Sequence, residues 1–178
     1  MLITIVVANQ KGGVGKTTTA LNLAASLSAA SRKVLLIDLD SQGNSTTGIG
    51  KEKAEGKNSL VDVLIEKEQI LDLIIQESGY KFDLIPASSD LISAEIELSP
   101  LKNPTSILRS KLDQIKDKYD YTVIDCPPSL GMLSVSALRA ASKVLIPLQC
   151  EYYSLEGLAA MDKTIKEINQ ATGENIEI

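Results

Sequence analysis

The chain of 178 residues contains no histidine and no tryptophan. The missing histidine excludes any mechanism that needs an imidazole as base, acid or metal ligand. Cysteine is scarce: Cys126 and Cys150 are the only two. They are too few for a disulfide framework, and neither sits in a CxxC pair that would hold zinc or run thiol redox chemistry. A reducing cytoplasm is the simplest setting. No apolar run approaches the roughly 20 residues of a membrane span. The opening Leu2-Ile3-Thr4-Ile5-Val6-Val7 has no basic region before it and runs straight into a glycine loop, so it is read as a core strand and not as a signal peptide. Positive charge is also short, with Lys+Arg 18 against Asp+Glu 23 and a net charge of -5. That balance argues against coating DNA or an anionic membrane through bulk charge, and leaves a local basic patch possible.

What is present is the mix of an ordinary soluble globular protein, 44% hydrophobic and 23% charged. The length allows one well-buried core, so residues 1–178 are expected to form a single domain. There is no internal repeat. Short apolar runs at Leu2 to Ala8, Val34 to Ile37, Tyr121 to Ile124 and Val144 to Leu148 are rich in β-branched residues and do not alternate with polar ones. That is the look of strands buried on both faces of a parallel sheet. Phe82 to Pro86 is a plausible further strand. Helical patterns lie between them. The clearest puts Ala20, Leu23, Ala24 and Leu27 on one face directly after the glycine loop. Others cover Leu60 to Ile65, Thr105 to Lys116, Leu133 to Ala141 and Leu155 to Ile168. The alternation predicts right-handed crossovers and a doubly wound α/β fold, with a mostly parallel sheet covered by helices on both faces. Gln42 to Asn58, glycine-rich and carrying the run Lys51-Glu52-Lys53-Ala54-Glu55-Gly56-Lys57, reads as a mobile, solvated surface excursion.

In such sheets ligands sit beyond the carboxyl ends of the strands. The first such segment is Lys11-Gly12-Gly13-Val14-Gly15-Lys16-Thr17-Thr18. Small residues let successive backbone N–H groups face phosphate oxygens above a helix N-terminus. Gly12, Gly13 and Gly15 supply the loop and Lys16 opens the helix. Lys16 is expected to bring positive charge to the β- and γ-phosphates, and the Thr17 hydroxyl to ligate Mg²⁺. The standard GxxxxGK[ST] pattern would have glycine where this chain has Gln10, and Lys11 is an additional lysine. Asp38 and Asp40 flank Leu39 at the end of the second strand, where either carboxylate alone could simply cap a turn. Tyr121-Thr122-Val123-Ile124-Asp125 is an apolar strand ending in an acid, the Walker B form, and Asp125 is expected to hold Mg²⁺ through a water. Cys126 reads as a buried filler and not a nucleophile.

The stretch Lys11 to Thr18 resembles the deviant Walker A motif of the family that includes ParA/Soj partitioning ATPases, MinD and the nitrogenase iron protein. The resemblance runs over essentially the whole chain and is closest to ParA/Soj. It is carried further by Gln42-Gly43-Asn44, Leu84 to Ser88, Cys126 to Gly131 and Leu148 to Gly157. It implies that Lys11 acts in trans on a partner's phosphates in a nucleotide-sandwich dimer. It also implies that Asp40 orients the attacking water and that Asp38 serves the magnesium shell. Nucleotide contacts are implied for Lys11, Gly12, Gly13, Val14, Gly15, Lys16, Thr17, Thr18 and Pro127, with catalysis by Lys11, Lys16 and Asp40 and metal binding by Thr17, Asp38 and Asp125. The expected activity is slow hydrolysis of ATP to ADP, stimulated by a ParB-type partner, in a cytoplasmic, nucleoid-associated protein that holds nonspecific DNA.

The same residues bear on other members of the family. An iron protein would need a further cysteine between Gly131 and Ala141, and iron-sulfur scaffold relatives would carry CxxC; both are missing. A MinD-like positioning ATPase would be expected to end in an amphipathic membrane helix, and a nucleotide-locked binding module would scarcely hydrolyse ATP. The paired Tyr152 and Tyr153 read as packing at the top of a strand. Relatives continue further than Asn175-Ile176-Glu177-Ile178, which reads as the opening of another strand. The C-terminal part, with the base-reading loop and the DNA-binding basic residues, is therefore expected to be missing.

Overall fold

The computed structural model describes residues 2–54, 59–65, 69–76, 79–151 and 154–178. Tyr152, Tyr153 and the Glu55-Gly56-Lys57 end of the charged run lie outside the described residues. The strands are β1 (Ile3–Val7), β2 (Val34–Asp38), β3 (Asp83–Ile85), β4 (Tyr121–Asp125) and β5 (Lys143–Leu145). Their order in the sheet is β3-β2-β4-β1-β5, and every pairing is parallel. Each strand expected from the sequence is present, within one to three residues of its expected ends. β5 departs most, beginning at Lys143 and ending at Leu145. Beyond it the chain turns toward the glycine loop, where Pro147 O accepts a hydrogen bond from Asn9.

The helices are α1 (Lys16–Ala29), α2 (Asn44–Gly48), α3 (Leu60–Leu64), α4 (Ala94–Leu98), α5 (Ile107–Asp113), α6 (Met132–Ala140) and α7 (Ser154–Thr172). Two-faced burial of the strands sorts their side chains into separate clusters. Val6, Leu35, Ile37, Ile85 and Ile124 pack in one with residues of α3, α5, α6 and α7. Val7, Val34, Leu36, Leu84 and Val123 pack in the other with Ala20 and Ala24 of α1. This odd-even split is what a period of two imposes on a sheet covered on both sides. The buried stripe of α1 runs Lys16, Ala20, Ala24, Ser28, with Leu23 and Leu27 only partly buried on its flank. Alanines at the contact let the helix approach the sheet closely, and this fixes the height of the loop that precedes it.

The segment after Gln42 is a correction to the sequence reading. Its first part is helix α2, with Ser45 and Thr46 fully buried, and not a solvated excursion. The apolar pattern missed it because its buried residues are hydroxyl-bearing. At the other end, the expected strand opening at Asn175 to Ile178 pairs in parallel with the β5 edge. Val144 N donates to Glu177 O at 2.7 Å and Glu177 N to Ser142 O at 3.2 Å.

Candidate nucleotide site

The strand order brings the candidate residues together. Because β4 lies between β1 and β2, the glycine loop after β1, Asp125 at the tip of β4 and Asp38 at the tip of β2 stand side by side. Gly13 and Gly15 have φ of +74° and +89°, the left-handed region that L side chains enter only with strain. These two turns leave the loop wrapped around the start of α1. A cavity of about 420 Å³ opens there, walled by Gly12, Gly13, Gly15, Lys16, Thr17 and Thr18, with Asp40, Gln42, Asn44 and Pro128 across from them. Val14 is buried beneath the loop. Pro127 faces a neighbouring groove with Leu39, Ser41, Leu91 and Glu95.

Lys16 is buried, and its Nζ donates to Lys11 O at 3.1 Å. Burial lowers its pKa from the ordinary lysine value, opposed by the negative charges of Asp125 and Asp40. Asp125 is 1% exposed. Its Oδ2 accepts from Ser45 Oγ at 2.7 Å, while its Oδ1 is buried with no hydrogen-bond partner. Burial raises its pKa; the nearby Ser45 and Thr17 hydroxyls and the Lys16 ammonium oppose that, and Asp40 adds to it. An orphaned buried carboxylate oxygen beside a threonine hydroxyl is an all-oxygen setting of the kind a hard divalent cation takes. Among the described residues no group of three or more acidic or cysteine side chains is gathered to cage a metal by itself. The oxygen donors of Asp125 and Thr17 are of the type Mg²⁺ takes.

Asp38 differs in kind. It is fully buried, and its Oδ2 accepts from Thr46 N at 2.8 Å and Thr46 Oγ1 at 2.7 Å. Its Oδ1 accepts from Asp40 N at 3.3 Å. Burial pushes its pKa up to about 6, against the pull of those hydrogen bonds. Thr46 Oγ1 also accepts from Ala87 N at 2.9 Å, so one buried network ties β2, α2 and the segment after β3 together. Asp40, by contrast, is partly exposed and faces the cavity. Its Oδ1 accepts from Gln42 N at 3.0 Å and its carbonyl from Gly43 N at 2.8 Å. Cys126 is buried and burial drives its thiol pKa far upward, so it is inert filler as expected.

Lys11, like Val14, Pro127, Asp38 and Asp125, does not line this cavity. Its ammonium pairs with Glu151 at 2.5 Å on the outer side of the loop. The sequence reading missed Ser45, Thr46 and Asn44 as parts of this site, and Glu151 as the partner of Lys11 outside it. Only the segments holding Asn44 and Glu151 carried any signal, as resemblance; Ser45 and Thr46 sit in the supposed excursion.

The family described as AAA domain (AAA_31) matches residues 2–178. The chain belongs to that family. It is 46% identical over 166 residues to the sporulation initiation inhibitor protein Soj of Bacillus subtilis (strain 168), covering 93% of this chain and 66% of that protein. It is 45% identical over 174 residues to the chromosome partitioning protein ParA of Myxococcus xanthus, covering 98% of this chain and 62% of that protein. The family is thus that of P-loop ATPases of the ParA/MinD type, and the resemblance read from the glycine loop is borne out. A crystal structure of cobyrinic acid a,c-diamide synthase from Mycobacterium smegmatis, with bound ADP and magnesium, superposes with a TM-score of 0.93. It is 36% identical, over 99% of this chain and 72% of that one. The chain spans about two thirds of the length of the curated relatives named here.

Proposed function

We propose that this chain is the nucleotide-binding portion of a partitioning ATPase, which takes up ATP with Mg²⁺ and hydrolyses it slowly. One observation carries the reading: Gly12, Gly13, Gly15, Lys16, Thr17 and Asp40 line one cavity, and Asp125, whose Oδ1 has no hydrogen-bond partner, interacts with Lys16, Thr17 and Asp40 of that lining. Backbone amides of the loop and the amino end of α1 bind the polyphosphate, and Lys16 adds a positive charge. Thr17 and Asp125 are the residues that would hold magnesium. A magnesium ion held there would supply positive charge to the polyphosphate. Asp40 orients the attacking water from the opposite wall. Asp38, whose carboxylate is occupied by Thr46 and Asp40, acts in this reading by fixing α2 and the turn at Asp40 and not as an open ligand.

Kinship with Soj and ParA supports the finer reading. ATP closes two copies of the chain into a sandwich, and Lys11 of each reaches the other's phosphates. The whole protein holds nonspecific DNA, and a ParB-type partner stimulates hydrolysis and release. The positive charge that completes the site arrives only on association, so hydrolysis is coupled to dimerisation.

Calorimetry with the full chain tests the core of this proposal. Magnesium-dependent uptake of ATP and ADP is expected. Asp40→Ala is expected to keep uptake while losing most of single-turnover hydrolysis, by about 100-fold or more. Absence of magnesium-dependent uptake by folded protein overturns the reading.

A further inference from the structure

The segment that follows β5 is fastened to the glycine loop at successive points. Asn9 Nδ2 donates to Pro147 O at 2.8 Å, while Asn9 Oδ1 accepts from Lys11 N at 2.9 Å. Gln149 Nε2 donates to Gly13 O at 3.4 Å. Glu151 Oε2 then takes the Lys11 ammonium at 2.5 Å. The Lys11 carbonyl accepts from Lys16 Nζ at 3.1 Å while its own ammonium is taken by Glu151, so the two lysines have different partners.

We propose that Glu151 is a displaceable restraint on Lys11, holding its ammonium off the phosphate cavity of its own chain and yielding it to the polyphosphate of a second copy. The inference rests on the trans role of Lys11 proposed above. Both partners are partly exposed, with Lys11 at 36% and Glu151 at 57%. A solvated pair of this kind shifts a population by about two- to fivefold. That is enough to bias the side chain and weak enough to be overcome by a multiply charged phosphate group. The backbone at Glu151 is itself anchored, since Ser154 N, at the start of α7, donates to Glu151 O at 3.0 Å. Glu151 is accordingly a positioning residue and touches no reacting atom.

The test is sedimentation of the full chain with magnesium and a non-hydrolysable ATP analogue. Glu151→Gln, which keeps the shape and removes the charge, is expected to tighten self-association about two- to fivefold at low salt. The gain is expected to vanish at high salt, where the pair is screened in the parent as well. Nucleotide affinity of the dilute monomer stays the same. With Lys11→Ala already in place, Glu151→Gln is expected to add nothing, because the group it restrains is gone. Self-association of Glu151→Gln that is unchanged or weaker, while Lys11→Ala abolishes it, overturns the restraint and leaves the trans lysine standing. Lys11→Ala that associates and hydrolyses ATP like the parent overturns the reading beneath it.

Discussion

Asp38 and Asp125 are register partners at the tips of β2 and β4, both carboxylates are buried, and they are satisfied unequally. Asp38 accepts from Thr46 and Asp40, whereas Asp125 receives Ser45 on one oxygen and nothing on the other. Two acids at equivalent heights in the sheet are therefore held differently: Asp38 is tied into a network of the protein's own donors, whereas Asp125 has an unpartnered oxygen, which the proposed function assigns to the cation.

Asp38 is expected to destabilise the unliganded chain as pH rises. Its folded pKa of about 6 lies above the ordinary value of 3.8, so between those limits the folded state holds more protons than the unfolded state. Stability then falls as pH climbs through that window and is unaffected by this group below it. Asp38→Asn stays neutral throughout. Its stability relative to the parent should rise by up to about 3 kcal/mol between pH 3.5 and 7. Urea unfolding at stepped pH without magnesium measures the difference, and parallel curves would refute it.

Thr46→Val removes a hydroxyl that donates to Asp38 and accepts from Ala87 N, and fills the same volume. Each buried group left unpaired costs about 1–3 kcal/mol. Thr46→Ser should recover most of the loss. A Val variant as stable as the parent would show that the network does not hold α2 in place.

The glycines separate folding from binding. Gly15→Ala forces an L side chain to φ +89° and should cost about 1–2 kcal/mol of stability. At Gly12 an added Cβ would meet nothing within 4 Å. Gly12→Ala is therefore expected to fold as well as the parent while losing nucleotide affinity, because the methyl group stands at the wall of the phosphate cavity. Thermal melts with and without nucleotide distinguish the two.

Asp125→Asn replaces a buried acid of raised pKa with a neutral amide that still accepts from Ser45. The unliganded variant should be at least as stable as the parent. The magnesium-dependent part of nucleotide affinity should fall about tenfold or more. Calorimetry with and without magnesium measures it, and an unchanged magnesium dependence would remove Asp125 from the metal site.

Much of this was legible in the sequence because it is local. Apolar β-branched runs gave the strands, and the spacing of Gly12, Gly13, Gly15 and Lys16 gave the loop at the start of α1. Asp40 and Asp125 were visible as acids at strand ends. Helix α2 was not, since it is five residues long and its buried Ser45 and Thr46 are polar. Their burial becomes favourable only when Asp125 and Asp38 receive their hydroxyls.

The sequence by itself determined the kinds of element and the chemistry at their ends, because periodicity, glycine freedom and charge act over a few residues. Only the tertiary structure decided that β4 inserts between β1 and β2, so that Asp125 stands beside the loop and Asp38 beside Asp125. It alone also sent Lys11 outward to Glu151, 140 positions along the chain. Strand order and such a pairing depend on which distant surfaces bury one another, and no local pattern encodes that.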